Sequence, residues 1–311
     1  MGAFTVFDTP AWTGAAPRLS VLVPFMRDDP RPLLESLGRQ ADGLAGVVEI
    51  VLLDDGGGDE ALAAGVRAAL DRLPLPARLV RLHANEGRAK GRNRLVSHAR
   101  AAHLLFLDAD MLPDSDDFLR CYLNLIASDD PAVAFGGFSV LQAPPHRRHA
   151  LHRRMALGSD CLPAAARARA PEKYLYTSNL LIRRDVFQSE TFDEQFTGWG
   201  WEDVEWGMRV GRRWPIVHID NPATHLGLDT AAALIGKYRQ SVANFARILA
   251  IHPQVVAAYP SYRVAKALRR APLRRLWRPL LAWTAQQDWA PAAPRALALR
   301  LYRCALYADV V

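Results

Sequence analysis

The sequence predicts an α/β protein built on a mostly parallel sheet. Short apolar runs rich in Val, Leu and Ile alternate with longer segments of helical periodicity through the first 110 residues. These runs show no polar alternation, so each strand is expected to be buried on both faces, with helices covering both sides of the sheet. Aspartates follow directly on several of the runs, as expected where parallel strands end at one edge and ligands collect.

Four strands and the helices between them account for the first part of the chain. The strands are predicted at residues 19–25, 47–55, 77–83 and 103–110, and the helices at 32–40, 60–73 and 86–102. Each strand ends at Pro, Asp or another polar residue. The order strand–helix–strand is that of right-handed crossover units in a parallel sheet.

The second part of the chain is less regular. The pattern predicts a strand at 133–141, a strand running into a helix at 176–187, a helix at 201–213, extended structure at 215–227 and an amphipathic helix at 230–252. Residues 143–173, with PPHRRHALHRR and AAARARAPEK, predict a mobile basic excursion over the sheet. No internal repeat and no low-complexity linker interrupts the chain.

Composition indicates a globular protein of a reducing compartment. Of 311 residues, 50% are hydrophobic and 23% charged, with a mean hydropathy of −0.05. The three cysteines, Cys121, Cys161 and Cys304, lie too far apart for a disulfide framework or a zinc knuckle. Residues 1–20 lack the pattern of a signal peptide, and no apolar run reaches the length of a membrane span. We therefore expect a cytoplasmic protein.

The positive charge is concentrated in the last fifty residues. The net charge is +7, yet residues 261–311 alone hold ten Lys or Arg and two Asp, so the first 260 residues are slightly acidic. Arginines there are interleaved with Leu and with Trp277, Trp283 and Trp289, which fits either an anionic membrane surface or ordinary helices packed on the body. Nucleic acid is disfavoured, because the body is acidic and no nucleic-acid motif is present.

Two pairs of aspartates follow strands. Asp54 and Asp55 precede three glycines, a pattern that by itself also fits ordinary turn chemistry. Asp108 and Asp110 form a D-x-D pattern at the end of a buried strand, where carboxylates can hold a divalent cation and a diphosphate. Exposed loop acids are the alternative, which the position after HLLFL disfavours.

Two further segments predict binding chemistry. Arg88, Lys90, Arg92 and Arg94 cluster near a probable helix start, which favours an anion, although a solvated basic face has the same pattern. Residues 196–210, FTGWGWEDVEWGMRV, combine three tryptophans with adjacent acids. Aromatic faces can stack on the C–H groups of a sugar, and a carboxylate can act as a base for a hydroxyl. The alternative is structural: the tryptophans belong to the core, and the acids stabilise the first turn of a helix.

Taken in order, these motifs resemble the family 2 glycosyltransferases, which have the GT-A fold and use nucleotide-activated sugars. The resemblance runs from about Leu19 to about Leu228 through VLVPF, VLLDDGG, NEGRAKGRNRLVSHA, LLFLDADMLP and GWGWEDVEWGMRV. The last stretch is also similar to the C-terminal element of β-1,4-galactosyltransferases and of chondroitin-polymerase-type bacterial enzymes. The resemblance to family 2 implies a GT-A catalytic domain at 1–228, followed by a basic helical extension at 229–311. Within the catalytic domain it implies a nucleotide-sugar half at about 18–112 and an acceptor half at about 113–228.

The resemblance also implies site residues. Those of the nucleotide-sugar site are Pro24, Asp54 and Asp55 at the base, Arg92 and Asn93 at the diphosphate and its turn, and Asp108 at the ribose or donor sugar. The metal ligands would be Asp110 and His225, and the catalytic pair Asp203 as general base with Glu202 holding the acceptor. Trp199 and Trp201 would form the acceptor platform, although Trp201 stands where the family usually has glycine.

The implied activity is an inverting, metal-dependent transfer from a UDP-sugar to a saccharide acceptor, free or lipid-linked, in bacterial-type polysaccharide or glycoconjugate synthesis. Mn²⁺ or Mg²⁺ suits an Asp/His ligand pair. A nucleotidyltransferase is one alternative, but VPFMRDDPRP is not the Gly-rich, Lys-containing loop that such an enzyme uses. A non-catalytic carbohydrate-binding protein of the same fold is the other. If the basic extension binds lipid, the protein is expected to be peripherally bound to the inner face of the membrane.

Overall fold

The computed structural model describes residues 3–272 and 274–311, apart from the side chains of residues 274 and 275. The strands are β1 Phe4–Asp8, β2 Leu19–Phe25, β3 Val48–Asp54, β4 Ala77–Leu82, β5 His103–Leu107, β6 Met111–Pro113, β7 Val133–Phe135, β8 Phe138–Ser139, β9 Asn179–Arg183, β10 Ile216–His218 and β11 Ala223–His225. The α-helices are α1 Arg31–Arg39, α2 Glu60–Leu70, α3 Arg88–His98, α4 Phe118–Ser128, α5 Ala150–Ser159, α6 Ala164–Arg167, α7 Arg184–Ser189, α8 Glu202–Val210, α9 Ala231–Ile251, α10 Pro253–Ala258, α11 Pro260–Arg269, α12 Arg274–Gln286 and α13 Ala292–Tyr307.

The main sheet confirms the predicted fold class. Its strand order is β1-β4-β3-β2-β5-β9-β7-β10, in which β4, β3, β2 and β5 are parallel neighbours and β9 runs antiparallel between β5 and β7. Edge strand β1, which the sequence pattern did not predict, pairs antiparallel with β4. A smaller sheet has the order β6-β11-β8, and its register places His225 opposite Met111, one residue after Asp110.

Helices cover both faces of the main sheet, as buried apolar strands require. Successive residues of β2 point to opposite faces: Val21 and Val23 join the core formed with α1, α2 and α4, whereas Leu22 joins the core formed with α3, α7 and α8. All three side chains are fully buried. The loops that follow β2, β3 and β5 are therefore held at one edge by a rigid support.

Two expectations for the middle of the chain are wrong. The strand predicted at 133–141 is two short strands in different sheets, broken at Gly136 and Gly137, where a Cβ on Gly136 would lie 2.2 Å from the Tyr122 hydroxyl. Residues 143–173 are not a loose excursion, because α5 buries Leu151 against the extension and α6 ends at Arg167, which is 1% exposed. Arg167 donates to the carbonyls of Leu162 and Ile219, at 2.8 and 2.6 Å.

The C-terminal extension is a helical layer packed on the α/β body. It begins with α9, whose N-cap Thr230 accepts a hydrogen bond from the backbone of Ala233, so the boundary suggested at 228/229 falls between β11 and α9. Helix α13 packs against α5, α9, α11 and α12. None of the described helices is both long enough and apolar enough to cross a bilayer.

Trp201 joins α8 to this extension. Its backbone has φ 79°, a left-handed conformation that is costly for a residue with a Cβ. Its indole N–H donates to the hydroxyl of Tyr307 at 2.9 Å, and its ring centroid lies 5.2 Å from that of Phe245. The ring packing on the extension therefore offsets a strained turn immediately before Glu202.

We predict that Trp201→Gly and Trp201→Ala both lower the free energy of unfolding, and that Trp201→Ala is the less stable variant. Both lose the indole contacts, but only glycine adopts φ 79° without steric cost, which makes a difference of about 1 kcal/mol. Urea unfolding of both variants beside the wild type measures it. Equal stability, or a more stable alanine variant, would contradict the strained turn.

Candidate active site

Carboxylates collect where three parallel strands end. Asp28 lies three residues beyond β2, Asp55 directly follows β3, and Asp108 directly follows β5. The sequence pattern predicted the last two of these positions but missed Asp28. Burial, and next the nearby charge of Asp110, raise the pKa of Asp28, so its carboxyl belongs to the same cluster.

Asp54 and Asp55 hold loops at this edge. Asp54 is 3% exposed and accepts from the backbone N–H of Gly57 at 3.0 Å and from Nε of Arg81 at 3.1 Å. Asp55 accepts from the backbone N–H groups of Glu86 and Gly87, at 2.7 and 3.0 Å, just before α3. Both carboxylates thus position the β3 and α3 loops, beside the partly exposed Pro24 near the end of β2.

Arg92 is the centre of the site. Its side chain is 3% exposed, and its Nη2 lies 3.1 Å from Asp108 Oδ1, while Nη1 lies 3.4 Å from Glu202 Oε1 and 3.7 Å from Asp203 Oδ1. Burial opposes its charge, but the three carboxylates outweigh burial and raise the pKa of the guanidinium. Its buried Nε has no hydrogen-bond partner among the described residues. One cation therefore organises acids from two distant segments.

This placement differs from the diphosphate contact that the resemblance implies for Arg92, because both Nη atoms already face carboxylates. Its basic neighbours diverge: Arg88 and Lys90 are exposed, whereas Arg94 pairs with Glu86 at 2.6 Å. Arg88 lies four residues before Arg92, so these two share one face of α3, whereas Lys90 and Arg94 lie on other faces.

Asp203 has the properties of a proton acceptor. Both of its carboxylate oxygens accept from the Thr177 hydroxyl at 3.1 Å, and its side chain is 21% exposed. Burial raises its pKa most, Arg92 lowers it, and Glu202 and Asp108 raise it again, with the result that the pKa of Asp203 is about 6. A carboxylate with such a pKa is charged near neutral pH and more basic than an ordinary aspartate.

Asp110 and His225 meet across the smaller sheet, as the resemblance implies for two metal ligands. Asp110 Oδ2 lies 3.1 Å from His225 Nε2, and both side chains are about a quarter exposed. A Cβ on Gly227 would lie 2.0 Å from Asp110 Oδ2, so a glycine is required beside this carboxylate. Among the described residues no group of three or more His, Cys, Asp or Glu is placed to hold a metal. A cation here would have these two protein ligands.

The extension and α5 contribute residues that the sequence analysis did not select. Lys237 of α9 forms an ion pair with Asp229 at 2.6 Å. Burial raises the pKa of Asp110, but the hydrogen bond and charge of His225 outweigh burial and lower it, and the charge of Lys237 adds a smaller effect in the same direction. His152 of α5 accepts from the backbone of Asp229 at 2.7 Å, and its ring lies 5.8 Å from that of His225. Tertiary packing alone brings these residues to the site, so no local signal could have revealed them.

The remaining predicted site residues are Asn93, Trp199 and Trp201, and each has a different environment. Asn93 donates to the carbonyl of Phe192 and accepts from its backbone N–H, at 3.0 and 3.1 Å, which ties α3 to the loop before α8. Trp199 is partly buried, with its ring 5.9 Å from Tyr238 and 5.9 Å from Lys237 Nζ. Trp201 also packs on the extension, but against Phe245 and Tyr307, so the two tryptophans join different clusters. Trp206 is fully buried in the core.

Comparison with known proteins accords with this geometry. Residues 20–190 match the family described as Glycosyl transferase family 2. The mannosyltransferase PcManGT from Pyrobaculum calidifontis, solved in complex with GDP-Man and Mn²⁺, is similar with a TM-score of 0.60 and 16% identity, covering 99% of this chain and 89% of that one. TarS 1–349 from S. aureus is similar with a TM-score of 0.53, 16% identity and coverages of 94% and 90%, and its complex with UDP has a TM-score of 0.52, 17% identity and the same coverages. Curated protein sequences gave no match.

The mixed, mostly parallel sheet flanked by helices defines an α/β protein with the GT-A fold. The family match spans more than half of the chain, and the chain belongs to glycosyl transferase family 2. It is therefore a glycosyltransferase. The structural relatives, at 16–17% identity, establish the shared fold.

We predict that Asp203→Asn is more stable than the wild type at about pH 8, by on the order of 1–2 kcal/mol, and that the gain disappears toward pH 4. A raised pKa means that this carboxyl favours folding while protonated, and that contribution is lost as the pH rises through about 6. Asparagine keeps an oxygen that accepts from Thr177.

Thermal unfolding at both pH values measures this effect. Asp185→Asn is the matched control, because a hydrogen bond from Arg183 lowers the pKa of Asp185 and no gain is expected there. A loss of stability for Asp203→Asn at about pH 8 would show that the ionised carboxylate stabilises the fold, contrary to the raised pKa.

Proposed function

We propose that the protein is an inverting, metal-dependent glycosyltransferase that transfers a sugar from a UDP-sugar to a saccharide acceptor, free or lipid-linked, in bacterial-type polysaccharide or glycoconjugate synthesis. The observation that carries the proposal is the Arg92 cluster, which joins Asp108 of the donor half to Glu202 and Asp203 of the acceptor half. The carboxylates expected to meet the donor and the acceptor are thus held close together, and a direct transfer needs both substrates bound in proximity.

On the donor side, the nucleotide is expected against Pro24, Asp54 and the loop that Asp55 holds. The sugar and ribose are expected by Asp108, and Asn93 supports the site indirectly through the loop at Phe192. Lys237, already beside Asp110, supplies positive charge where a diphosphate would lie. Arg92 is a positioning residue, because its contacts are with the carboxylates that act.

Asp203 is the proposed general base. The oxygen of the acceptor hydroxyl attacks the anomeric carbon as the bond from that carbon to the diphosphate oxygen breaks. The hydroxyl proton passes to a carboxylate oxygen of Asp203, and the nucleoside diphosphate leaves with the electron pair. Attack opposite to the leaving group inverts the configuration. Glu202, fixed by Arg92, and the partly exposed ring of Trp199 are placed to contact the acceptor, whereas Trp201 acts through the turn it anchors.

The residues at Asp110 and His225 fit a divalent cation. One carboxylate oxygen and one imidazole nitrogen already converge, and Gly227 leaves the carboxylate the space that a Cβ would fill. Carboxylate with imidazole suits Mn²⁺, and Mg²⁺ also accepts the oxygen ligand. When bound, such a cation neutralises the charge that develops on the departing diphosphate.

A GDP-sugar is the second candidate donor. PcManGT, which covers 99% of this chain, is described with GDP-Man, whereas TarS is described with UDP. The three cysteines are all free thiols, which supports the reducing, cytoplasmic location proposed from their spacing.

We predict that Asp203→Asn lowers kcat/KM for transfer by about 10²- to 10⁴-fold while nucleotide binding persists. Wild-type kcat/KM should fall roughly tenfold per pH unit below about pH 6, because Asp203, facing Arg92, Glu202, Asp108 and Thr177, then takes up a proton. A radiolabelled-sugar transfer assay over pH measures both. Near wild-type transfer by Asp203→Asn would remove Asp203 as the base; its folding is checked by the stability experiment above.

We predict that one nucleoside diphosphate raises the melting temperature only when Mn²⁺ is present, and that Gly227→Ala abolishes this effect. The new methyl group would collide with Asp110 Oδ2, which leaves the cation without a free carboxylate. Thermal-shift panels of UDP, GDP, CDP, ADP and TDP with and without Mn²⁺ measure it, since a ligand of the folded state raises apparent stability.

Gly236→Ala is the matched control for this panel, because nothing lies within 4 Å of a Cβ at that helical position. It should respond to nucleotide and metal as the wild type does. A UDP response supports the proposed donor, and a GDP response supports the second candidate. Metal-independent stabilisation by every nucleotide would contradict the proposed metal site.

A further inference from the structure

Helix α12 has the reverse of the usual amphipathic pattern. Its small residues Ala282 and Ala285 are buried against α9 and α13, at 7% and 0% exposure. Leu281 packs beside them, but four other large apolar residues, Leu276, Trp277, Leu280 and Trp283, face away from the protein and are 67%, 59%, 62% and 56% exposed. Residues 276, 280 and 283 are spaced by four and three positions, so they form one continuous stripe. A soluble helix gains nothing from this arrangement, and such a patch indicates a binding surface.

Basic residues flank this stripe along the chain. Exposed Arg263 and Lys266 of α11, and Arg270 just after it, precede α12. At the other end of the helix, Arg147 from the middle of the chain donates from Nε to the carbonyl of Asp288 at 2.9 Å, next to Trp289, which is 71% exposed. Residues 230–287 contain no Asp or Glu.

The two acids of the last fifty residues are neutralised within the extension. Asp288 pairs with Arg295, and Asp309 pairs with Arg278 at 2.7 Å. The apolar stripe of α12 is therefore bordered by exposed basic residues, and the acids nearest to it in the chain are paired. Electrostatic complementarity requires a negatively charged partner, and the exposed Leu and Trp side chains require that this partner also accept apolar groups.

We propose that the outward face of α12 binds an anionic lipid bilayer, with Leu276, Trp277, Leu280 and Trp283 inserted at the level of the headgroups and the surrounding Arg and Lys facing anionic lipid. Tryptophans favour that level, and basic residues near the surface add to binding. A second copy of the chain is disfavoured, because two cationic faces would repel each other. The stripe also offers on the order of 500 Å², below the roughly 800 Å² per partner of a standard interface.

Membrane binding would explain how the enzyme reaches a lipid-linked acceptor. Only this connection to the acceptor rests on the proposed function. Helix α13 packs on α12 and also supplies Tyr307, to which Trp201 donates beside Glu202. A protein held on a bilayer by α12 would keep its acceptor half near the surface where a lipid-linked saccharide lies. Binding to lipid itself needs neither donor nor acceptor, so it is tested separately from transfer.

The test is flotation of the full chain with vesicles of phosphatidylcholine and phosphatidylglycerol in a ratio of about 3:1, at low salt. We expect the wild type to float, and Trp277→Ser/Trp283→Ser to lower the partition coefficient about tenfold or more. Val6→Ser, which alters an exposed apolar residue on edge strand β1 (44% exposed), is the matched control and should bind as the wild type does. Added salt should weaken binding.

Four outcomes would overturn the proposal. They are no flotation of the wild type at low salt, equal flotation of the double variant, equal binding to pure phosphatidylcholine, and self-association that the double variant abolishes without vesicle binding. The nucleotide thermal shift of the double variant should match that of the wild type. That result establishes that the variant is folded and that its nucleotide site is intact. A loss of membrane binding can then be told apart from a failure of the proposed function.

Discussion

The guanidinium of Arg92 is the constraint on which the arrangement of the site depends. It lies on α3, and its carboxylate partners lie after β5 and at the start of α8, 16 and 110 residues away. Removing this buried cation would leave one buried and two partly buried carboxylates without their shared partner, which is costlier than losing a surface ion pair. The position of α8 on the sheet, and with it the orientation of Asp203, is therefore fixed by charge as much as by the packing of Trp206.

The same contact connects the site to the extension. Helix α8 begins at a strained Trp201, whose indole is held by Tyr307 and Phe245, so the first turn bearing Glu202 and Asp203 is supported from both sides. Lys237 enters the site from α9, and His152 enters from α5. The extension thus takes part in shaping the catalytic body, and a purely appended tail would not supply these contacts.

How much the sequence revealed depended on whether the signal was local. Buried strands such as β2 and the acids that follow β3 and β5 carry their own pattern, and they were predicted. The break at Gly136 was missed, because it arises from contact with Tyr122, far away in the chain. The ordered helices within 143–173 were missed for a similar reason: their basic composition reads as solvated, and only docking on α13 buries Leu151. Lys237 and Asp28 carried no motif at all.

Two local costs converge on α8, and they share a cause. A left-handed tryptophan and a buried aspartate with a pKa of about 6 both oppose folding near neutral pH. Contacts from distant segments stabilise each of them. Tyr307 holds the indole of Trp201, and Arg92 pairs with Asp203. Selection for stability alone would remove both, since glycine and asparagine would be easier to accommodate. Their coincidence in one turn supports the proposal that this turn is constrained by chemistry, with Asp203 as the carboxylate that would meet a substrate at the edge of the sheet.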